Sequence, residues 1–133
     1  MQQVIDKLAW IYIKDRRILS TRSKGNDTCY IPGGKRERGE TDHAALIREI
    51  KEELTVDLLP DSLTFFGAFS AQAHGKAEGV LVQMTCYTAD YVRTIAPASE
   101  IEEVMWLEHK DRLRSSPVDQ IIFDWLRSHE MID

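Results

Sequence analysis

The segment Gly33–Val56, GGKRERGETDHAALIREIKEELTV, carries 11 charged residues among 24, yet a helical apolar stripe runs through it. Thr41 is suited to cap a helix start, and Asp42 to sit at the positive end of the helix dipole. His43, Leu46, Ile47, Ile50 and Leu54 then recur at three- and four-residue steps, which predicts one apolar face. At about 100° per residue, Glu49, Glu52 and Glu53 fall within roughly 100° of arc on the other side. Carboxylates crowded in this way repel one another, and Arg48, one turn before Glu52, relieves only part of that. A hard divalent cation, magnesium by preference, would relieve the rest. The turn Pro32-Gly33-Gly34 before the helix lets the backbone approach a ligand closely, with carbonyls available as further oxygen ligands. Glu40 is near enough in sequence to brace the cluster. The competing reading is a solvated, salt-bridged helix face. The Gly-Gly turn and Glu40 at fixed offsets from the glutamates weigh against it.

This segment resembles the Nudix box, G-x(5)-E-x(7)-R-E-U-x-E-E-x-G-U, where U is a bulky aliphatic residue. Gly34 opens it, Glu40 follows after five residues, and Arg48-Glu49 after seven more. Ile50, the pair Glu52-Glu53, and Val56 complete it. One position departs: Thr55 stands where the family has glycine. That glycine eases the chain out of the helix, often at positive φ, which a β-branched residue tolerates poorly.

The resemblance implies an α/β (α+β) fold, an α/β/α sandwich with a mixed β-sheet between helices, spanning residues 1–133 as one domain. It also implies a Mg²⁺-dependent hydrolase, with Mn²⁺ as substitute, that cleaves the pyrophosphate bond of a nucleoside diphosphate linked to another group. Carried over position by position, Glu49 and Glu53 are metal ligands and the carbonyl of Gly34 completes the shell. Glu52 is a third ligand or the general base, and Glu49 is the alternative base. Arg48 orients the carboxylates, and Glu40 braces them. Gly33, Gly34, Arg22 and Lys24 are the expected substrate contacts. His74 is a further candidate, as is one of Glu100, Glu102 and Glu103. Candidate substrates are oxidised nucleoside triphosphates, as in MutT-type enzymes, ADP-ribose and other nucleotide sugars, or dinucleoside polyphosphates. The chain lacks the N-terminal extension many ADP-ribose hydrolases use to dimerise, which favours a triphosphate; a monomer or a homodimer fits. The alternative within the same fold is a nucleotide sensor that does not cleave its ligand.

The bulk numbers agree with an ordinary globular protein. The chain has 133 residues, 43% hydrophobic and 29% charged. A net charge of −5 argues against a nucleic-acid polymer as partner. No apolar run reaches membrane-spanning length, and Cys29 and Cys86 show no metal spacing, so a cytoplasmic setting with reduced thiols is expected. Val4 to Ile13 reads as a buried strand, Lys14 to Arg17 as a hairpin turn, and Ile18 to Thr21 as the return strand. Arg22 to Asp27 is a polar loop, and Cys29 to Ile31 a short extended segment. Asp57 to Ser62 reads as a connection. Leu63 to Ala71, with a bulge at Gly67, and Val80 to Ala89 form a long hairpin with His74 near its tip. Asp90 to Ser99 is a loop before a short strand, Val104 to Leu107. Ser116-Pro117 begins a second helix with a stripe of Val118, Ile121, Ile122, Trp125 and Leu126.

Overall fold

The computed structural model describes residues 3–133. Ten strands and two helices follow in order: β1 (Gln3–Trp10), β2 (Ile13–Lys14), β3 (Arg17–Ser23), β4 (Cys29–Tyr30), β5 (Gly33–Lys35), α1 (Asp42–Leu54), β6 (Asp57–Leu58), β7 (Thr64–Gln72), β8 (Val80–Thr88), β9 (Tyr91–Val92), β10 (Ile101–Leu107) and α2 (Pro117–Ser128). Single 3₁₀ turns at Pro60–Ser62 and His109–Arg114 fill two of the connections.

One sheet has the order β5-β1-β8-β7, with β1 and β8 parallel and the other pairs antiparallel. A second has the order β10-β3-β2, with β4 also on β3, and β6 pairs β9 at the periphery. The expected mixed sheet between helices is therefore present. Alternation along β1 builds both layers, because successive side chains point to opposite faces. Leu8 and Trp10 pack with Leu46, Ile50 and Leu54 of α1, while Ala9 packs with Ile122, Phe123 and Leu126 of α2. Each of these large side chains is worth roughly 1.5–3 kcal/mol of burial. No helix among the described residues is long and apolar enough to cross a membrane.

The apolar run from Val4 to Ile13 is two strands rather than one, and only its middle is buried. The chain changes sheets at Ile11 and Tyr12: the Ile11 N–H donates to Tyr87 O, while Tyr12 O accepts from Leu19 N–H, both at 2.9 Å. The following turn is tighter than expected, with Asp15 and Arg16 both at positive φ between β2 and β3. Such two-residue turns match the twist of the flanking strands. Asp57–Leu58 and Tyr91–Val92, read as loop, pair with each other. The bulge near Gly67 is present, where the β7–β8 register shifts between Phe65 and Gly67.

Both helix stripes are rotated from their sequence reading. On α1 the buried set is Ala45, Leu46, Ile50, Glu53 and Leu54, and His43 is exposed. On α2 it is Val118, Asp119, Ile122, Phe123 and Leu126, with Ile121 left 41% exposed. In each case a carboxylate sits on the buried face, and an apolar pattern cannot reveal it. Thr41 caps α1 as expected, its hydroxyl accepting from Ala44 N–H at 3.1 Å. Thr55 does take the left-handed conformation of the glycine it replaces, at φ 63° and ψ 18°. Its hydroxyl donates to Thr94 O at 3.1 Å, which offsets part of the strain.

Candidate active site

Gly33 and Gly34 lie on β5, directly against β1, and each is required by a neighbour. Gly33 has φ +150°, and a Cβ there would come within 2.0 Å of Leu8 O. A Cβ on Gly34 would come within 2.2 Å of Glu49 Oε2. The second glycine thus admits a carboxylate from α1 to the strand, and the first lets the backbone lie close enough to receive it.

Glu53 enters from the same helix. It is only 8% exposed, and its Oε1 accepts from Gly33 N–H at 2.9 Å. Burial pushes its pKa up to about 8, with the charges of Glu49 and Glu100 adding to the rise against Gly33 N–H and Lys7. Glu49 is also raised by burial, in opposition to Arg48. The expectation of three glutamates facing away from the core is corrected for Glu53, which lies at the core's edge.

Arg48 organises the remaining carboxylates. Its Nε and Nη2 grip Glu40 at 2.7 and 2.9 Å, its Nη1 meets Glu49 at 2.7 Å, and its Nη2 also donates to Lys35 O at 3.2 Å. A bidentate guanidinium fork of this kind fixes orientation as well as charge. The fork holds the Glu40 carboxyl down at about 2, helped by the Glu37 N–H. Glu52, the partner expected for Arg48 from spacing, does pair with its Nη1, though more loosely, at 3.5 Å and with 53% of the side chain exposed. Among the described residues no three His, Cys, Asp or Glu side chains stand together as a ready cage for a metal. Arg48 occupies one oxygen of Glu49, and Glu52 turns toward solvent.

The loop after β9 straps the end of α1. Ala96 N–H donates to Leu54 O at 3.0 Å and Ala98 N–H to Glu53 O at 2.9 Å. This brings Glu100 close enough to raise both Glu49 and Glu53. Of the three acidic candidates, Glu100 just before β10 is therefore the one within electrostatic reach of the cluster. Glu103 is instead paired with Arg22 at 3.1 Å, and Glu102 is exposed.

Arg22 and Lys24 do not reach the cluster. Arg22 is committed to Glu103 across the β3–β10 ladder, and Lys24 is exposed. Besides Arg48, Lys7 on β1 comes within electrostatic reach of the cluster. A cavity of about 140 Å³ beside Glu53, Gly33 and Gly34 is lined by Lys7 and Tyr30. Both residues, with Met84, also line a larger cavity of about 230 Å³, where His74 sits at the rim. The sequence signal for Lys7 was its place between Ile5 and Ala9, on the inward side of an otherwise apolar strand. Cys29 and Cys86 are both buried and unpaired.

The sequence matches the model of the NUDIX domain over residues 7–126. The chain belongs to the Nudix family. Solved structures agree on the fold. The solution structure of the E. coli ORF135 protein matches with a TM-score of 0.72 at 22% identity, covering 99% of this chain and 96% of that one. The MutT protein from Methanosarcina mazei Go1 matches at 0.75 and 15% identity, covering 97% and 96%. A bifunctional NMN adenylyltransferase/ADP ribose pyrophosphatase from Francisella tularensis, complexed with AMP and a Mn ion, matches at 0.67 and 22% identity, covering 96% of this chain and 42% of that one. No curated protein gives a match. Within this Nudix chain, the segment that resembles the Nudix box runs from Gly34 on β5 through helix α1.

Proposed function

We propose that this protein is a Mg²⁺-dependent pyrophosphohydrolase acting on a nucleoside diphosphate linked to a further group. The observation that carries the reading is the pairing of Gly34 with Glu49 and of Gly33 with Glu53. Two half-buried to buried carboxylates converge on one glycine turn, and a Cβ at Gly34 would fill the space Glu49 occupies. Buried carboxylates without a paired cation are costly, and burial raises the proton affinity of Glu53, which a bound cation would offset. This donor set, oxygen only, fits a hard divalent metal.

Glu53, Glu49 and the carbonyl of Gly34 would hold the metal. When bound it supplies charge neutralisation on the diphosphate and makes water more acidic. Arg48, fixed by Glu40, keeps Glu49 in place while substrate enters. Glu52, half in solvent and loosely held, accepts the proton as water attacks phosphorus; Glu49 is the alternative acceptor. The bond from that phosphorus to the bridging oxygen breaks, leaving a nucleoside monophosphate and the phosphorylated remainder. Lys7, between the two cavities, meets the phosphate chain from the side opposite α1.

The test is a nucleotide panel with Mg²⁺ or Mn²⁺, read by monophosphate release. At least one member should be cleaved, and chelation should abolish the activity. A panel spanning nucleoside triphosphates, nucleotide sugars and dinucleoside polyphosphates without any product would sink the reading.

A further inference from the structure

Lysines in this chain divide by what faces them. Lys51 lies 2.7 Å from Asp57, and Lys110 lies 3.6 Å from Glu108. Lys7, Lys14, Lys24, Lys35 and Lys76 make no ion pair among the described residues, although acidic residues outnumber basic ones by 22 to 17. Three of these five, Lys7, Lys35 and Lys76, line the larger cavity, and no Asp or Glu does. Lys7 and Lys35 are direct cross-strand partners on β1 and β5, an arrangement that repels. Lys76 joins them from the turn between β7 and β8. The chain thus brings three lysines to one cavity from separate segments; Lys7 has Asp119, Glu53 and Glu49 within electrostatic reach, while Lys35 and Lys76 make no ion pair among the described residues.

The rest of the cavity suits a ligand with a less polar body. Lys7 Nζ stands 5.6 Å from the centroid of the Tyr30 ring, and His74 meets the same ring edge-on at 6.4 Å. Met84 and Val82 supply apolar wall. Ser116, also in the lining, is 4% exposed, and its hydroxyl serves the Asp119 carboxyl of the same helix. Lys7, Tyr30 and Met84 are shared with the smaller cavity beside Glu53, so one extended ligand can occupy both.

We propose that the substrate moiety extending from the diphosphate into this cavity carries an anionic group of its own, a phosphate or a carboxylate, neutralised by Lys35 and Lys76. The inference rests on the reading above that the diphosphate lies at the glutamate turn. Lys7 answers the diphosphate, which leaves the other two lysines surplus unless the remaining moiety is charged. Its uncharged body lies against Tyr30 and Met84.

Two ligand pairs that differ by one charged group test this: UDP-glucuronate against UDP-glucose for a carboxylate, and NADPH against NADH for a phosphate. Binding is measured by calorimetry with the metal chelated, so that no turnover intervenes. In at least one pair the charged member should bind tenfold tighter or more, and the pair that responds identifies the group. That preference should shrink as salt is raised from 50 to 500 mM. It should fall below threefold in the double variant Lys35→Gln, Lys76→Gln, both exposed positions. Equal affinities within both pairs overturn the proposal, as does a preference that survives high salt or the double substitution. Turnover under Mg²⁺ is scored separately. A charged-member preference without any cleavage would remove the hydrolase reading and keep the pocket assignment; cleavage without preference would do the reverse.

Discussion

Helices α1 and α2 approach the same short stretch of chain, Ile31 to Gly33, from two sides, and each sends a buried carboxylate to it. Glu53 of α1 accepts from Gly33 N–H at 2.9 Å, and Asp119 of α2 accepts from Ile31 N–H at 2.9 Å. The bond is the same and the surroundings are not. Glu53 has Glu49 and Glu100 within electrostatic reach and opens on a cavity. Asp119 is completely buried, has Lys7 as its nearby charge, and has the Ser116 hydroxyl beside its carboxyl. Burial pushes it up to about 7. A buried acid alone therefore does not mark the chemistry. What separates the two is the company of other carboxylates and an open side.

The largest effect expected from this contrast is on turnover. Glu53→Gln keeps the acceptor for Gly33 but removes the charge, and it should lower kcat by about three orders of magnitude, roughly 4 kcal/mol. Asp119→Asn should change kcat less than tenfold. Product release measured on both variants, with circular dichroism as the fold check, settles whether the helices differ as described; similar losses in both would break the comparison. Next comes stability. Asp119→Ala strands the Ile31 N–H and opens a void, so it should cost about 2–3 kcal/mol in urea unfolding. Asp119→Asn should stay within about 1 kcal/mol.

The pH response of the metal-free protein sharpens the same point. Both acids bind their protons more tightly folded than unfolded, where ordinary values near 4 apply. The folded state therefore holds more protons between about pH 4 and 8, and its stability falls as pH rises through that window. Melting temperature should drop across it. Asp119→Asn should remove the part of the drop ending near pH 7, and added Mg²⁺ should remove the part due to Glu53. A melting temperature that rises from pH 5 to 8 in chelator would refute both assignments.

The smallest effect concerns the helix exits. Each helix leaves through a non-glycine residue at positive φ, Thr55 after α1 and Glu130 after α2. Thr55 has its bond to Thr94 O, while no side-chain bond of Glu130 offsets its strain among the described residues. Glu130→Gly should therefore stabilise by about 0.5 kcal/mol, and Thr55→Gly should gain less or lose slightly. Paired thermal melts that reverse this ranking would show that the Thr94 bond contributes nothing.

Much of this is legible in the sequence, and the reason is local. Thr41, the Gly33-Gly34 turn and the glutamate spacing act over one or two helical turns, so their order in the chain nearly fixes their order in space. Asp119 was invisible because hydrophobic periodicity treats a carboxylate as solvent-facing, and its burial depends on Ile31, 88 residues away. Lys7 was missed for the same reason, and Arg22 was over-read because its partner Glu103 lies on another strand. The sheet change at Ile11 and Tyr12 leaves no mark in a continuous apolar run. Two-residue strands such as β9 are set by their partners and have no pattern of their own.

With anchors from both helices, the amides of Ile31 and Gly33 should exchange with deuterium only when the whole molecule unfolds, among the slowest in the chain. The rim on which a ligand rests is then a fixed bench. Accommodation of differently shaped ligands must come from the opposite lip, the exposed turn that carries His74 and Lys76.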